Sequence, residues 1–264
     1  MPDWIAVVLL GIIEGITEFL PISSTGHLLI AERWLAHRSD LFNVVIQCGA
    51  VIAVLPLFPQ RCRQLFFGWR DPQARDFLLK LGAAFVVTGM GGWILEKKHF
   101  KLPDEIAPVA VALLVGGILF VAVEAWLRGR TQRTDISWPL ALLVGAGQLL
   151  AAVFPGTSRS GATILIMLAC GVNRPVATEF SFLVGVPTML AAGGLKIFKA
   201  LRHTADATPE NWGLLALCTV VSGIVSFLAV KWLLRYVQTH SFAGFGWYRI
   251  AFGACLLLLF FTQG

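Results

Sequence analysis

Ten apolar runs, at about 4–20, 24–36, 40–58, 76–95, 106–127, 136–154, 160–171, 175–198, 212–234 and 245–262, fill most of this 264-residue chain. A helix needs about 20 mostly apolar residues to cross the hydrocarbon core of a bilayer. Several runs meet that length. Short charged or Pro/Gly-rich connections separate them: RCRQ at 61–64, EKKHFKLPDE at 96–105, RGRTQRTD at 128–135 and RHTADATPEN at 202–211. Only 14% of the residues are charged, against about a quarter in soluble domains. The pattern predicts an all-α polytopic protein folded as one integral membrane domain. The alternation of a transmembrane barrel is absent.

Two runs are too short to cross. Segments 24–36 and 160–171 each follow a polar loop that contains proline. A helix of about 12 residues rises only about 18 Å, against a core of about 30 Å. Each therefore reads as the returning arm of a re-entrant hairpin. Irregular backbone at membrane depth is tolerated only where protein buries it or it lines a wet cavity, so the two loops point to one internal cavity. A shift of 134 residues lays GIIEGITEFLPISSTGHLLI (11–30) over GAGQLLAAVFPGTSRSGATI (145–164), pairing Gly11 with Gly145, Glu14 with Gln148, Pro21 with Pro155, Ser24 with Ser158 and Ile30 with Ile164. The halves, about 1–134 and 135–264, then hold one hairpin and three spans each. An odd number of spans inverts the second copy, as in many transporters. The expected architecture is six transmembrane helices plus two re-entrant hairpins in an inverted-topology repeat.

With the termini outside, the inner loops hold Arg61, Arg63, Arg70, Arg75, Arg128, Arg130, Arg133, Arg174, Lys231 and Arg235. The outer loops hold Arg33, Arg38, Lys97, Lys98, Lys101, Lys196, Lys199 and Arg202. The slight excess inside favours this orientation. The net charge of +6 belongs to these loops, beside anionic lipid head groups, and no nucleic-acid partner is expected. The five cysteines are scattered without a CxxC pair, so neither a disulfide framework nor a zinc site is expected. The start, MPDW, lacks the basic region of a cleaved signal, and the first run reads as part of the mature fold.

The chemistry concentrates in the two polar loops. Glu14 and Glu18 are four apart and share one helical face. An acid at mid-membrane costs roughly 2.5–3.5 kcal/mol on insertion scales, and two of them also repel. A divalent cation, a shared proton or a nearby basic residue must compensate. In PISSTGH, Ser23, Ser24 and Thr25 are good N-caps for the next helix, and free amides at a helix start form an anion site. FPGTSRSG repeats the design with Gly156, Thr157, Ser158 and Ser160, and adds Arg159, whose fork suits phosphate oxygens. His27, one turn from Ser24 and near the acid pair, is a candidate acid or base. Gln148 stands in the place of Glu14 and is expected to face the same cavity, with Gln47 a further candidate. Glu179, at a span start, suits either a structural or a functional role, and Glu124 is expected to pair or snorkel. The tryptophans read as lipid-facing. GTSRSG lacks the ending of a nucleotide P-loop. Acids for a cation beside arginine and helix starts for an anion suggest a lipid phosphate or pyrophosphate bridged by metal.

EGITEFLPISSTGH (14–27) and PGTSRSG (155–161), with FNVVIQCGAVIAV (42–54) and ATEFSFLVGVPTML (177–190), closely resemble the bacterial undecaprenyl-pyrophosphate phosphatase, or bacitracin-resistance, family over essentially the whole chain. The resemblance implies an inner-membrane enzyme of interdigitated inverted repeats, with its site open to the periplasm. Such an enzyme hydrolyses undecaprenyl pyrophosphate to undecaprenyl phosphate and phosphate, recycling the carrier for peptidoglycan. It also implies a divalent cation, Mg or Ca, held by Glu14 and Glu18, and functional roles for His27 and Arg159. Glu14, Glu18, Ser24, His27 and Arg159 are thus the catalytic candidates. Ser23, Thr25, Gly26, Gly156, Thr157, Ser158, Ser160 and Gln148 are the substrate-binding ones. The nucleophile is either Ser24, helped by His27 or Glu18, or water activated by the metal. The SGH and SR…H…D motifs of phosphatidic-acid phosphatases are not matched, because no suitably spaced histidine and aspartate follow SRSG. The competing reading is a lipid-carrier flippase or ion-coupled transporter built on the same cavity. A homodimer is compatible with the sequence.

Overall fold

The computed structural model describes residues 2–35, 38–98, 106–202 and 211–263. Lys101 and most of the 96–105 and 202–211 connections lie outside the described residues. Eleven α-helices occur among those described: α1 (Asp3–Thr17), α2 (Ser24–Leu35), α3 (Asp40–Val54), α4 (Pro59–Phe67), α5 (Pro72–Lys97), α6 (Ile106–Leu127), α7 (Trp138–Val153), α8 (Arg159–Ala169), α9 (Arg174–Arg202), α10 (Trp212–Thr239) and α11 (Ala243–Gln263). Five of them, α5, α6, α9, α10 and α11, are long and apolar enough to cross a membrane. Leu41–Leu57 and Pro59–Arg70, bent by 89° at their junction, are long and apolar enough for a sixth crossing only when taken together as one span. The protein is an all-α, multi-pass membrane protein.

That bend departs from the sequence reading, which left RCRQ in a connection. Pro59 sits at the first position of α4, where a missing N–H costs nothing. It starts a new helix rather than ending in loop. Leu65, Phe66 and Phe67 of α4 are exposed, as befits a helix lying in the interface.

Local chemistry fixes the other starts. Ser39 caps α3 by accepting from the Phe42 amide, and Asp71 caps α5 by accepting from Gln73. Asn211 caps α10 through Gly213 and Leu214. Pro187 inside α9 removes one intrahelical bond.

The first arm of each hairpin packs on the other half of the chain. α1 lies against α10, and α7 lies against α5. Gly11 packs against the Cys218 carbonyl, and Gly145 against the Ala84 carbonyl. The two contacts are related by the expected 134-residue shift. The core between them includes Phe19, packed edge-on to Phe182 at 5.0 Å. All nine tryptophans are exposed, the outward placement expected of a lipid-facing belt. Glu124 does pair: its buried carboxylate accepts from Arg174 at 2.5 and 2.9 Å, and from the Phe242 amide at 2.8 Å. Glu179 bonds Arg61 of α4 at 2.7 Å, a structural role that ties the interfacial helix to α9.

Candidate active site

The two helix breaks meet. α1 ends at Thr17, and residues 18–23 turn the chain into α2. Ser23 has φ 73° and Ser158 has φ 66°, the left-handed conformation that non-glycine residues rarely adopt. Each caps the helix that follows. The Ser23 hydroxyl accepts from the Gly26 amide at 3.3 Å, and the Ser158 hydroxyl accepts from the Gly161 amide at 3.1 Å. Ser23 and Ser158 are therefore the structural equivalents, one residue out of step with the Ser24–Ser158 pairing of the 134-residue shift. Counted from the glycine contacts the second copy takes one more residue to reach this serine, 145–158 against 11–23, and its turn passes through Gly156 at φ 90°; the break itself is shorter, 154–158 against 18–23. Ser24 thus occupies the place of Arg159, each the first residue of its helix.

Glu18 joins the two breaks. Its Oε2 accepts from the Ser24 hydroxyl at 2.8 Å, and its Oε1 lies 3.3 Å from Nη2 of Arg159. Both side chains are largely buried, Glu18 at 7% and Arg159 at 12% exposure. Glu14 is fully buried one turn earlier, beside Gln47 of α3. Both Glu14 carboxylate oxygens, Nε and Nη1 of Arg159, and Oε1 of Gln148 are buried without a hydrogen-bond partner. Buried polar groups are normally satisfied. A cluster of acceptors and guanidinium N–H groups of this kind suits a ligand that brings both cationic and anionic character.

A cavity of about 540 Å³ opens from this cluster. Glu18, Ser24, Thr25, Gln47, Gln148, Gly156, Ser158 and Arg159 line its polar end. One face of α5 (Phe85, Gly89, Gly92, Trp93), α7 (Ala151, Ala152) and α9 (Ala191, Ala192, Leu195) lines the apolar remainder. The far end reaches Glu96, which is ion-paired with Lys199. Gln148 faces the cavity as expected, held by its amide to Thr88 at 2.7 Å.

The structure does not bring every candidate together. His27 lies outside this cavity. Its Nδ1 is 2.7 Å from the Ser23 carbonyl, and its Nε2 is 2.6 Å from the Tyr248 hydroxyl. A carbonyl can only accept, so Nδ1 carries the proton, and in the neutral ring Nε2 accepts from Tyr248. The ring stacks on Phe252 at 4.4 Å and faces a separate cavity of about 320 Å³. The expected closeness to the carboxylates is not found, and the imidazole instead braces the strained Ser23 turn. Glu14, Ser23, Gly26, Thr157 and Ser160 also stay off the cavity lining, Glu14 lying buried one turn behind Glu18. Ser160 is fully buried, 3.2 Å from the Ser158 hydroxyl and 3.4 Å from the Leu20 carbonyl.

Two participants escaped the sequence reading. Thr88 positions Gln148. Arg249 is fully buried and donates to the backbone of both breaks. The signal for Arg249 was present: a guanidinium inside the apolar run 245–262 is functional by default.

A polytopic membrane protein with paired helix breaks, an acid and an arginine lining one cavity and a second buried acid behind them belongs to the class that handles charged head groups within the bilayer. Comparison with known proteins narrows this. The family model of the bacitracin resistance protein BacA matches residues 7–255. The undecaprenyl-diphosphatase of Rhizobium etli is 51% identical over 256 residues, 97% of this chain and 96% of that protein. Its counterpart from Xanthomonas axonopodis pv. citri is 46% identical over 259 residues, 98% of this chain and 97% of that one. The chain belongs to the BacA bacitracin resistance family.

Proposed function

We propose that the protein hydrolyses undecaprenyl pyrophosphate to undecaprenyl phosphate and inorganic phosphate in the bacterial plasma membrane. The carrying observation is the Ser24–Glu18–Arg159 constellation, assembled from two helix breaks at the polar end of a cavity whose remainder is apolar. Relatives about half identical over nearly their full length are undecaprenyl-diphosphatases, which supports the same substrate here.

The small-residue walls of α5, α7 and α9 leave a slot for a prenyl chain, and the pyrophosphate reaches the breaks. Arg159 directs its free N–H groups at the phosphate oxygens, and the N-terminal turns of α2 and α8 add their amide dipoles. The Ser24 hydroxyl attacks the terminal phosphorus while Glu18 takes its proton. The new Oγ–P bond forms as the bond to the bridging oxygen breaks, and the lipid monophosphate leaves. Glu18 passes that proton to the departing lipid phosphate; water then attacks the phosphoserine, Glu18 taking its proton and returning it to Ser24 Oγ as the P–Oγ bond breaks and phosphate leaves. The 2.8 Å bond from Ser24 to Glu18 is the nucleophile–base contact this route needs, and it favours serine over water as the first attacker. His27 acts by holding the Ser23 carbonyl rather than by moving a proton.

Glu14 and Glu18 would hold a magnesium or calcium ion. Among the described residues no group of three or more His, Cys, Asp or Glu could complete a protein-only site. Two carboxylates completed by substrate phosphates is a common magnesium arrangement, and the unpartnered Glu14 oxygens fit it. When bound, the ion neutralises phosphate charge. The cavity runs toward the C-terminal ends of α5 and α9, where Lys199 pairs with Glu96 and Lys97 lies over Trp93. With the termini outside, that mouth faces the periplasm.

The test is phosphate release from undecaprenyl pyrophosphate by detergent-purified protein with Mg, with Ca and with chelator, beside Glu18→Gln and Arg159→Ala. Metal-dependent release, lost in both variants, is expected. Lipid binding without release under any metal would replace the phosphatase with a transporter.

A further inference from the structure

Arg249 of α11 is an unusual cation. It is fully buried, and its partners among the described residues are all carbonyl oxygens. Nη1 donates to Pro21 at 3.1 Å, and Nη2 donates to Gly156 at 3.2 Å and to Ala112 at 3.1 Å. Nε reaches Leu113 at 3.5 Å. Pro21 belongs to the first break and Gly156 to the second. Ala112 and Leu113 belong to α6, the helix against which α11 packs. One guanidinium therefore ties both catalytic loops to each other and to a rigid helix pair.

We propose that Arg249 is the positioning residue that holds the two breaks in register, so that the serine of one and the arginine of the other address a single phosphate. The catalytic consequence rests on the phosphatase reading; the clamp does not. Break-loop carbonyls at membrane depth need donors, and a planar fork can serve several at once in fixed directions. A lysine keeps the charge but offers its donors from one nitrogen, and it cannot span Pro21 and Gly156 as the fork does. The Ser24–Glu18–Arg159 contacts cross between the breaks, and a shift of about 1 Å in such a constellation can cost about 100-fold in rate. Space for the fork is reserved nearby, since a Cβ on Gly116 would fall 2.3 Å from Nη2 of Arg249.

The experiment measures two things on Arg249→Lys and on the milder Gly116→Ala, which keeps the arginine but displaces its fork. The first is amide hydrogen exchange in detergent, which needs no activity. Exchange should rise about tenfold in residues 22–26 and 156–161 together, with α5 and α10 unchanged. The second is kcat, in wild type and in an Arg159→Lys background. Arg249→Lys should lower kcat about 10–100-fold in wild type and by much less in the Arg159→Lys background, because both changes disrupt the same presentation. Unchanged loop exchange in Gly116→Ala overturns the clamp, and it does so even if Arg249→Lys fails to fold. Equal fold losses in both backgrounds, or full activity in Arg249→Lys, overturn the positioning role. If wild type shows no hydrolysis, the phosphatase reading fails and the exchange result alone decides the clamp.

Discussion

Gly185 offers the sharpest test of the site's geometry. It lies on α9, and a Cβ built there would fall 1.7 Å from Nη1, 2.5 Å from Cζ and 2.9 Å from Nη2 of Arg159. The Gly185→Ala methyl therefore takes the berth of the guanidinium. Ordinary van der Waals contact begins at about 3.4 Å, so the guanidinium must retreat by well over 1 Å. Its bond to Glu18 is already 3.3 Å and does not survive the move. The guanidinium ends a flexible side chain, so it yields and the fold stays. Gly185 has ordinary helical backbone, where alanine is intrinsically better by about 1 kcal/mol, so no loss of Tm is expected. Removing one donor from a charge-stabilising site costs about 2.7–4 kcal/mol, or roughly 100- to 1,000-fold in kcat. Gly185→Ala should thus approach Arg159→Ala in phosphate release while melting no lower than wild type. Gly194→Ala is the control: it shares α9, and its methyl meets nothing within 4 Å. Gly185→Ala within threefold of wild type, with Arg159→Ala inactive, would refute the assignment of Arg159 to this position.

Other substitutions separate the remaining roles. Ser24→Ala should lose at least about 1,000-fold in kcat and trap no phosphoserine, while Ser23→Ala should cost about 1 kcal/mol of stability through its lost cap; mass spectrometry of quenched wild-type reactions and detergent melts check the pair, and an active Ser24→Ala removes the serine step. His27→Gln should lower kcat without shifting either limb of the pH–rate profile, because the imidazole lies outside the cavity; a displaced limb would return it to proton transfer. Glu124→Ala should cost about 3–5 kcal/mol, the penalty for breaking a buried ion pair. It should appear as a lower detergent Tm, with kcat of the folded fraction unchanged.

Much of this was legible in the chain itself. Run length gave the crossings, because bilayer thickness imposes a length that no tertiary context relaxes. The two breaks, and the need for something to compensate the acid pair, followed from polar groups placed where membrane makes them costly; that Arg159 is the partner of Glu18 did not. What escaped was rotational or single-residue. Whether His27 faces the carboxylates or Tyr248 depends on the rotational phase of α2, set by the left-handed Ser23. The one-residue slip that matches Ser24 with Arg159 is visible only through the paired positive φ angles. Arg249 vanished into the mean hydropathy of its run, which averages a lone charge away. α4 is nine residues long, below the window at which a periodic pattern stands out from a charged loop.

The reciprocal packing of the hairpin arms also governs how the chain can be made. α1 is synthesised first, yet the surface that receives it, α10, ends only at Thr239. Through most of translation the first arm must carry Glu14 into or near the membrane without its native neighbour. Long-range contacts of this kind are slow to form. Neither half can complete its own cavity, so separately expressed halves gain a finished site only by finding each other. In biogenesis, assembly of the site waits on the last third of the chain.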